Sequence, residues 1–186
     1  MRRPASCPPA PPALSAADGA AVEPPLQGLP PVLSPHTRLV VLGSFPGVAS
    51  LQAGEYYAHP RNHFWPLLSA LWGLELRGLP YPQRLAVVRE RGLGIWDVHA
   101  SCHRAGSLDS AIRDARPNDL GVLLRQAPAL RAVAHNGAES ARSRHFIHAL
   151  GLPAHRLPSS SPANAGWSFE RKLEAWRAVF VAAGLA

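Results

Sequence analysis

The chain has 186 residues, of which 47% are hydrophobic and 17% charged, a balance that suits one soluble globular domain with a full core. No stretch approaches the roughly 20 unbroken apolar residues of a membrane helix, and the proline-rich start lacks the apolar segment of a signal peptide. The net charge of +7 favours a polyanionic partner such as nucleic acid, although arginine use in a GC-rich genome explains it equally well.

Cysteine and histidine spacing argues against a metal or a cofactor. The chain has two cysteines, Cys7 and Cys102, which cannot build a four-cysteine zinc or iron–sulfur site. No histidine lies at a spacing that would give a metal the set of ligands it needs. We therefore expect neither a metal nor a cofactor. The sparse cysteines also predict a reducing compartment, the cytoplasm.

The elements that follow a proline-rich start alternate between strand and helix patterns. Residues 1–35 are rich in proline and alanine, so we predict a flexible extension there and a folded domain over residues 36–186. In chain order the patterns predict a strand at 38–43, helices at 62–72 and 82–90, a strand at 93–98, a helical turn at 107–112, a helix at 119–126, a strand at 130–135, a helix at 138–150, a strand at 155–157 and a final helix that Ser168 caps.

This alternation predicts an α/β fold, a three-layer α/β/α arrangement with a central four-stranded, mostly parallel sheet. Ligands of such sheets bind beyond the carboxyl ends of the strands. The loops that leave three of the predicted strands, at residues 43–47, 136–137 and 158–164, are unusual in content. We therefore expect these three loops to meet at one crevice.

A cluster of aromatic and polar residues lies between the first strand and the first helix, over residues 56–65. Aromatic faces can stack on a base that has been turned out of a DNA helix. Asn62, at the helix start, can hold a water or read a base edge. The competing interpretation is an asparagine that caps the helix beside core aromatics.

Several ordered motifs together resemble a known family. Residues Gly43-Ser44-Phe45-Pro46-Gly47 followed by His59-Pro60-Arg61-Asn62-His63-Phe64-Trp65 resemble the first motif region of mismatch-specific uracil and thymine DNA glycosylases. The segments 94–98, 106–112, 136–137 and 157–165 are similar to the hypoxanthine-DNA glycosylase branch of the uracil-DNA glycosylase superfamily. The resemblance runs from about Leu39 to Trp176, nearly the whole predicted domain.

The resemblance implies a monofunctional, monomeric DNA-deoxyinosine glycosylase that starts base excision repair. Such an enzyme flips a deaminated base out of double- or single-stranded DNA and releases it by hydrolysis. Hypoxanthine is the expected base, with uracil and xanthine as alternatives. Other readings stay open: a catalytically silent DNA-binding relative, or a nucleotide-handling α/β enzyme, which would need a glycine-rich phosphate loop that residues 43–47 do not form.

The resemblance also implies roles for individual residues. Most branches place Asp or Asn directly before the first-motif proline to direct the attacking water, and Phe45 stands there in this chain. The resemblance therefore assigns water placement to Asn62. Asp97 is the second candidate for this role, and a structural role for Asp97 as a loop cap is equally open. Base binding is expected from Ser44, Phe45, Tyr57, which would stack on the base, and Asn136, which would read its edge. DNA contacts are expected from Arg61, Ser159, Ser160, Ser161, Pro162, Ala163 and Asn164.

The chain has a single lysine, Lys172, which the final helix is predicted to hold on its solvent face. A lyase step needs an amine that forms a Schiff base with the sugar. The position of Lys172 beyond the serine-rich loop argues against such a step, and we expect simple hydrolysis.

Overall fold

A computed structural model describes residues 24–186 of the chain. Its strands are β1 (Leu26–Gln27), β2 (Leu39–Gly43), β3 (Leu93–Asp97), β4 (His99–His103), β5 (Arg113–Pro117), β6 (Ala132–Asn136) and β7 (Ala154–Leu157). Its helices are α1 (Val48–Ala53), α2 (Phe64–Trp72), α3 (Tyr81–Glu90), α4 (Val122–Gln126), α5 (Ala138–Ala141), α6 (Arg144–Ala149) and α7 (Phe169–Ala182). Between residues 24 and 186, none of these helices is both long and apolar enough to span a membrane.

The core is a four-stranded parallel sheet in the order β3-β2-β6-β7, flanked by helices. Strand β2 lies inside this sheet, and all five of its residues are buried. Such a strand is covered on both faces, which explains its unbroken apolar run. Because parallel strands end at one edge, the loops after β2, β3, β6 and β7 leave from the same side. The predicted α/β class is confirmed.

A second, antiparallel sheet was not predicted. It has three strands in the order β1-β4-β5, and β4 begins two residues after β3 ends. Its strand β5 is largely exposed and carries two arginines, so it lacks the apolar signal of a core strand. The predicted helical turn at 107–112 is a 3-10 turn, Asp109–Ala111, in the connection between β4 and β5.

The folded domain starts earlier than the predicted residue 36. Strand β1 pairs with β4, and Val32 is buried and exchanges backbone hydrogen bonds of 2.8 and 3.0 Å with Ile95. The Tyr56 hydroxyl donates to the Leu29 carbonyl at 3.0 Å. Proline is compatible with extended pairing at a sheet edge, which is why a proline-rich segment can pack here. The rest of the predicted flexible extension, residues 1–23, lies outside the described residues.

One predicted helix differs from the structure in detail. The helix predicted at 138–150 is two short helices, α5 and α6, separated by Arg142 and Ser143. Ahead of α4, the Asn118 side-chain amide donates to the Asp97 carbonyl at 2.9 Å.

The final helix is capped as predicted, since the Ser168 hydroxyl accepts from the Arg171 amide. The predicted solvent position of Lys172 is wrong, because this residue is only 1% exposed. Residues 172, 176 and 180 are spaced by four and so share one helical face, and Trp176 and Phe180 are fully buried with Lys172.

We expect the segment 24–35 to contribute measurably to stability. A chain that begins at His36 should unfold with a free energy lower by roughly 2–4 kcal/mol, because it loses the burial of Val32 and the hydrogen bonds of this segment. A chain that begins at Pro24 is the matched control and keeps these contacts. Urea unfolding of both measures the difference, and equal stabilities would restore the boundary at residue 36.

Candidate active site

A cavity of about 640 Å³ opens where the four parallel strands end. The three loops at 43–47, 136–137 and 158–164, together with residues from 56–62, line this one space, which confirms the expected crevice. Of the predicted site residues, the cavity is lined by Ser44, Phe45, Tyr57, Asn62, Asp97, Asn136, Ser159, Ser160, Ser161, Pro162, Ala163 and Asn164. Arg61 does not line the cavity and is exposed.

The floor of the cavity is a close contact between the ends of β2 and β3. The sheet register places Gly43 opposite Asp97. A Cβ atom on residue 43 would overlap the Asp97 carboxylate, so only glycine leaves room for it. Asp97 is 3% exposed, and its Oδ2 atom is buried with no hydrogen-bond partner among the described residues. The sheet therefore holds an unsatisfied carboxylate oxygen at the cavity floor.

The surroundings make this carboxyl group hard to ionise. Burial raises the pKa of Asp97 to about 7, the negative charge of Asp109 adds to the rise, and the Arg104 guanidinium opposes it. Burial disfavours the charged form because the site offers less solvation than water. Asp97 therefore changes charge in the neutral range, where a titratable group can act as acid, base or pH-dependent hydrogen-bond partner.

The loop after β2 forms one wall of the cavity. The Ser44 hydroxyl donates to the Asp109 carboxylate at 2.6 Å, which ties this loop to the 3-10 turn. Phe45 is buried, and the Arg104 guanidinium lies 5.1 Å from its ring centre and donates to the Phe45 and Pro46 carbonyls. Ser44 and Phe45, two of the four predicted base-binding residues, are thus engaged within the protein. They shape the wall, while Ser44 remains half-buried at the cavity surface.

Tyr57 places an aromatic ring beside the floor. Its backbone is left-handed, with φ of 57°, and its ring stacks on Phe64 with centroids 3.8 Å apart and planes 17° apart. Burial and the nearby Asp97 charge raise the pKa of its hydroxyl, which is buried without a hydrogen bond of normal geometry among the described residues. Phe64 therefore covers one face of the Tyr57 ring. Tyr57 is half-buried, and the part of it that Phe64 does not cover lines the cavity.

Asn62 serves the helix and the cavity at once. Its Oδ1 atom accepts from the Phe64 amide at 2.9 Å, so it satisfies one of the free donors at the start of α2. The capping interpretation is correct as far as this oxygen is concerned. The Nδ2 group makes no hydrogen bond in the described part of the chain, and the residue lines the cavity. Its amino group is consequently available to a ligand or a water.

Asn136 and Ser160 are joined by two hydrogen bonds. The Asn136 Nδ2 group donates to the Ser160 hydroxyl at 2.9 Å, and the Ser160 backbone amide donates to Asn136 Oδ1 at 2.8 Å. This pairing fixes the orientation of the amide, because Oδ1 must face the Ser160 backbone N–H and Nδ2 the Ser160 hydroxyl. The Ser160 carbonyl also accepts from the His63 amide at 2.9 Å. Ser160 is fully buried, so it cannot contact a DNA phosphate as predicted; it positions the loop instead.

The remainder of the serine-rich loop is held by its own hydrogen bonds. The Asn164 side chain donates to the Ser159 carbonyl at 3.1 Å, and the Ser161 hydroxyl accepts from the Ala163 amide at 3.2 Å. Pro162 and exposed Ala163 form its tip. This loop is therefore a preformed rim of the cavity.

Sequence reasoning missed several residues that line the cavity. They are Leu108, Asp109, Arg156 and Trp167. Leu108 and Asp109 lie in the segment 106–112, whose resemblance to the family was a usable signal. They belong to the connection between two strands of the unpredicted sheet, so no local pattern placed them at the cavity. Trp167 stands directly before the Ser168 cap, and a tryptophan at the edge of the serine-rich loop was a usable signal.

Two other titratable side chains stand apart from the cavity. His135 is fully buried with Nδ1 2.8 Å from the Ser140 hydroxyl, which donates to the Leu42 carbonyl. Burial lowers the pKa of His135 to about 4, so the ring is neutral and structural. Lys172 does not line the cavity. Among residues 24–186, no three His, Cys, Asp or Glu side chains are grouped so as to hold a metal ion.

Comparisons with known proteins agree with this geometry. Residues 30–181 match the family model described as the uracil DNA glycosylase superfamily. Two curated relatives named hypoxanthine DNA glycosylase, from Methanosarcina barkeri and Methanosarcina acetivorans, are each 36% identical over 83% of this chain and 97% of their own length. A solution NMR structure of a candidate uracil DNA glycosylase from Methanosarcina acetivorans superposes with a TM-score of 0.77, at 35% identity over 85% of this chain and 98% of that one.

We expect the buried Asp97 carboxyl to cost stability at neutral pH. Because its pKa is raised from 3.8 to about 7 on folding, the folded state becomes less stable as pH rises through this window. Asp97→Asn removes the cost, so it should match the wild type near pH 4 and exceed its unfolding free energy by roughly 4 kcal/mol at pH 8. Denaturant unfolding at both pH values measures the difference.

Glu174→Gln, at an exposed carboxylate of α7, controls for the general effect of losing one negative charge. A stability difference between Asp97→Asn and the wild type that does not change with pH would mean that the carboxyl group is not buried as described.

Proposed function

Since the chain belongs to the uracil DNA glycosylase superfamily, we propose that it is a monofunctional DNA-deoxyinosine glycosylase, which hydrolyses the N-glycosyl bond of hypoxanthine in DNA. The observation that carries the proposal is the unsatisfied Asp97 oxygen at the floor of a cavity that Tyr57 and Asn62 also line. A volume of about 640 Å³ is ample for a purine. We expect a cytoplasmic monomer that starts base excision repair.

Base recognition follows from hydrogen-bond complementarity. Hypoxanthine presents a ring N–H donor next to a carbonyl acceptor, whereas adenine presents a ring nitrogen acceptor next to an amino donor. Ionised Asp97 can only accept, so it favours the N–H edge and disfavours the adenine edge. Asn136 donates one amide hydrogen to Ser160, and its second amide hydrogen, which faces the Tyr57 hydroxyl, suits the base carbonyl. Uracil and xanthine carry the same N–H and carbonyl pair and are secondary substrates by this criterion.

Stacking orients the base in this proposal. Phe64 supports one face of the Tyr57 ring, and the other face receives the extruded base. A ring already packed on its far side loses little conformational freedom when the base arrives, so stacking is gained at low entropic cost.

Hydrolysis then requires a placed water more than a strong base. Cleavage of the N-glycosyl bond builds positive charge on the sugar and negative charge on the leaving base, and a preorganised site lowers the barrier by stabilising both. We assign water placement to the Asn62 amide, which can hold a water but cannot remove its proton as a strong base. The capping bond to Phe64 fixes the Asn62 side chain, so the water site is preformed.

DNA contacts outside the cavity are assigned to the loop 159–164 without Ser160, and to Arg61 and Arg156. Both arginines are exposed, and Arg156 lines the rim of the cavity. Guanidinium groups bind phosphate oxygens in bidentate geometry.

A substrate panel tests the proposal together with Asn62. Labelled duplexes that contain inosine, uracil or xanthine are incubated with protein under single turnover and then cleaved at abasic sites with alkali. We expect strand scission at inosine for the wild type. For Asn62→Ala we expect the excision rate to fall by about a hundredfold or more, because the water is no longer placed.

Asn62→Ser is the matched control, since serine can still cap α2 but cannot reach as far as the asparagine amide. We expect it to be as slow as Asn62→Ala with near wild-type stability. Excision by Asn62→Ser within a few-fold of wild type would leave Asn62 a cap only, and binding without scission by the wild type would identify a catalytically silent relative.

The rate of inosine excision should rise with pH through about 7, because Asp97 accepts the base N–H only when ionised. Asp97→Asn should be slower by about ten- to a hundredfold, from the loss of a charged acceptor, and should show no such rise. Single-turnover rates between pH 5.5 and 8.5 on saturating duplex test this. A wild-type rate that falls as pH increases would require a protonated Asp97 and reverse the assignment.

A further inference from the structure

Two large apolar side chains remain exposed at the mouth of the cavity. Leu108 is 58% exposed and Trp167 is 38% exposed, and both line the cavity. An exposed tryptophan beside a cavity is typical of a surface that meets a partner, because its large ring gains contact area at low entropic cost.

These two side chains belong to segments that leave different strands of the sheet. Leu108 lies between Ser107, whose hydroxyl accepts from the Val48 amide at 3.0 Å, and Asp109, which accepts from Ser44 at 2.6 Å. The Leu108 segment is therefore fastened to the loop after β2. Trp167 lies instead at the end of the loop that follows β7, and β6 separates β2 from β7 in the sheet.

The charge around the mouth indicates the kind of partner. The Arg171 guanidinium lies 4.5 Å from the centre of the Trp167 ring, Arg156 lines the rim, and the chain carries a net charge of +7. A guanidinium beside an aromatic ring suits a polyanion that also offers flat apolar faces, as stacked bases do.

The serine-rich loop itself lacks a side chain that could fill a gap in a base stack. Its tip is Pro162 and Ala163, and the alanine side chain is a single methyl group. A nucleotide that leaves a duplex costs unstacking energy, and proteins that open base steps commonly insert large apolar side chains there. Trp167 and Leu108 are the large apolar side chains that the described residues place at this mouth in an exposed state.

We propose that Leu108 and Trp167 clamp a DNA duplex by packing against the base pairs on either side of the extruded nucleotide, so that duplex DNA is the substrate. The inference rests on the proposed glycosylase function and adds the strandedness of the substrate. A single strand has no gap to hold open, so the clamp contributes nothing to its processing.

The test compares one inosine-containing oligonucleotide as a duplex and as a single strand. Trp167→Ala and Leu108→Ala should each slow excision from the duplex by about tenfold or more and leave the single-strand rate within about twofold of wild type. Trp167→Phe should recover most of the duplex rate. Phe146→Ala is the matched control, because Phe146 is a 47% exposed aromatic on α6 that does not line the cavity.

An equal loss on both substrates, or no loss on either, would overturn the clamp. A second measurement separates its failure from that of the proposed function: binding to a duplex with a stable abasic-site analogue, compared with the intact duplex. We expect the wild type and Phe146→Ala to prefer the abasic duplex and Trp167→Ala to lose that preference. If the wild type excises no base yet shows this pattern, only the proposed chemistry fails. If Trp167→Ala keeps the preference for the abasic duplex, the proposed clamp is wrong.

Discussion

Ser160 is the point at which three parts of the cavity are joined. Its backbone amide and hydroxyl hold Asn136 at the end of β6, while its carbonyl accepts from the backbone just before α2. These bonds fix the distance between the amide of Asn136, the amide of Asn62 and the rim of the loop. Because Ser160 is fully buried, water does not compete for them, and the loop is held in one arrangement. The geometry of the site follows from this connection.

The cavity floor, unlike Ser160, contains buried polar atoms whose hydrogen bonds are not satisfied. A carboxylate oxygen without a hydrogen-bond partner and a tyrosine hydroxyl without a hydrogen bond of normal geometry are buried there among the described residues, and Tyr57 has a left-handed backbone. Each feature destabilises the free protein. Burial of the apolar strands and packing of helices α2 and α7 stabilise the fold and offset this cost. A ligand that satisfies the floor therefore stabilises the fold as it binds, so binding and folding are thermodynamically linked.

The parts of the structure that depend on local sequence pattern could be predicted. The apolar run of β2 and the glycine that ends it predicted the buried strand and the crevice above it. Burial of Ser160 was invisible, since its neighbours Ser159 and Ser161 are chemically identical and only tertiary contacts separate them. Phe45 was likewise assigned to a base, because nothing local places Arg104 over its ring. Lys172 was predicted on the solvent face because it is charged, although its spacing of four residues from Trp176 indicated the buried face of the helix.

Burial of Lys172 has a consequence for the electrostatics of the surface. As it is the only lysine, every other basic side chain except histidine is an arginine, and guanidinium groups keep their charge far into the alkaline range. The long-range attraction between this surface and a phosphate backbone should thus change little between neutral pH and pH 10, whereas a lysine-rich surface would begin to lose its charge.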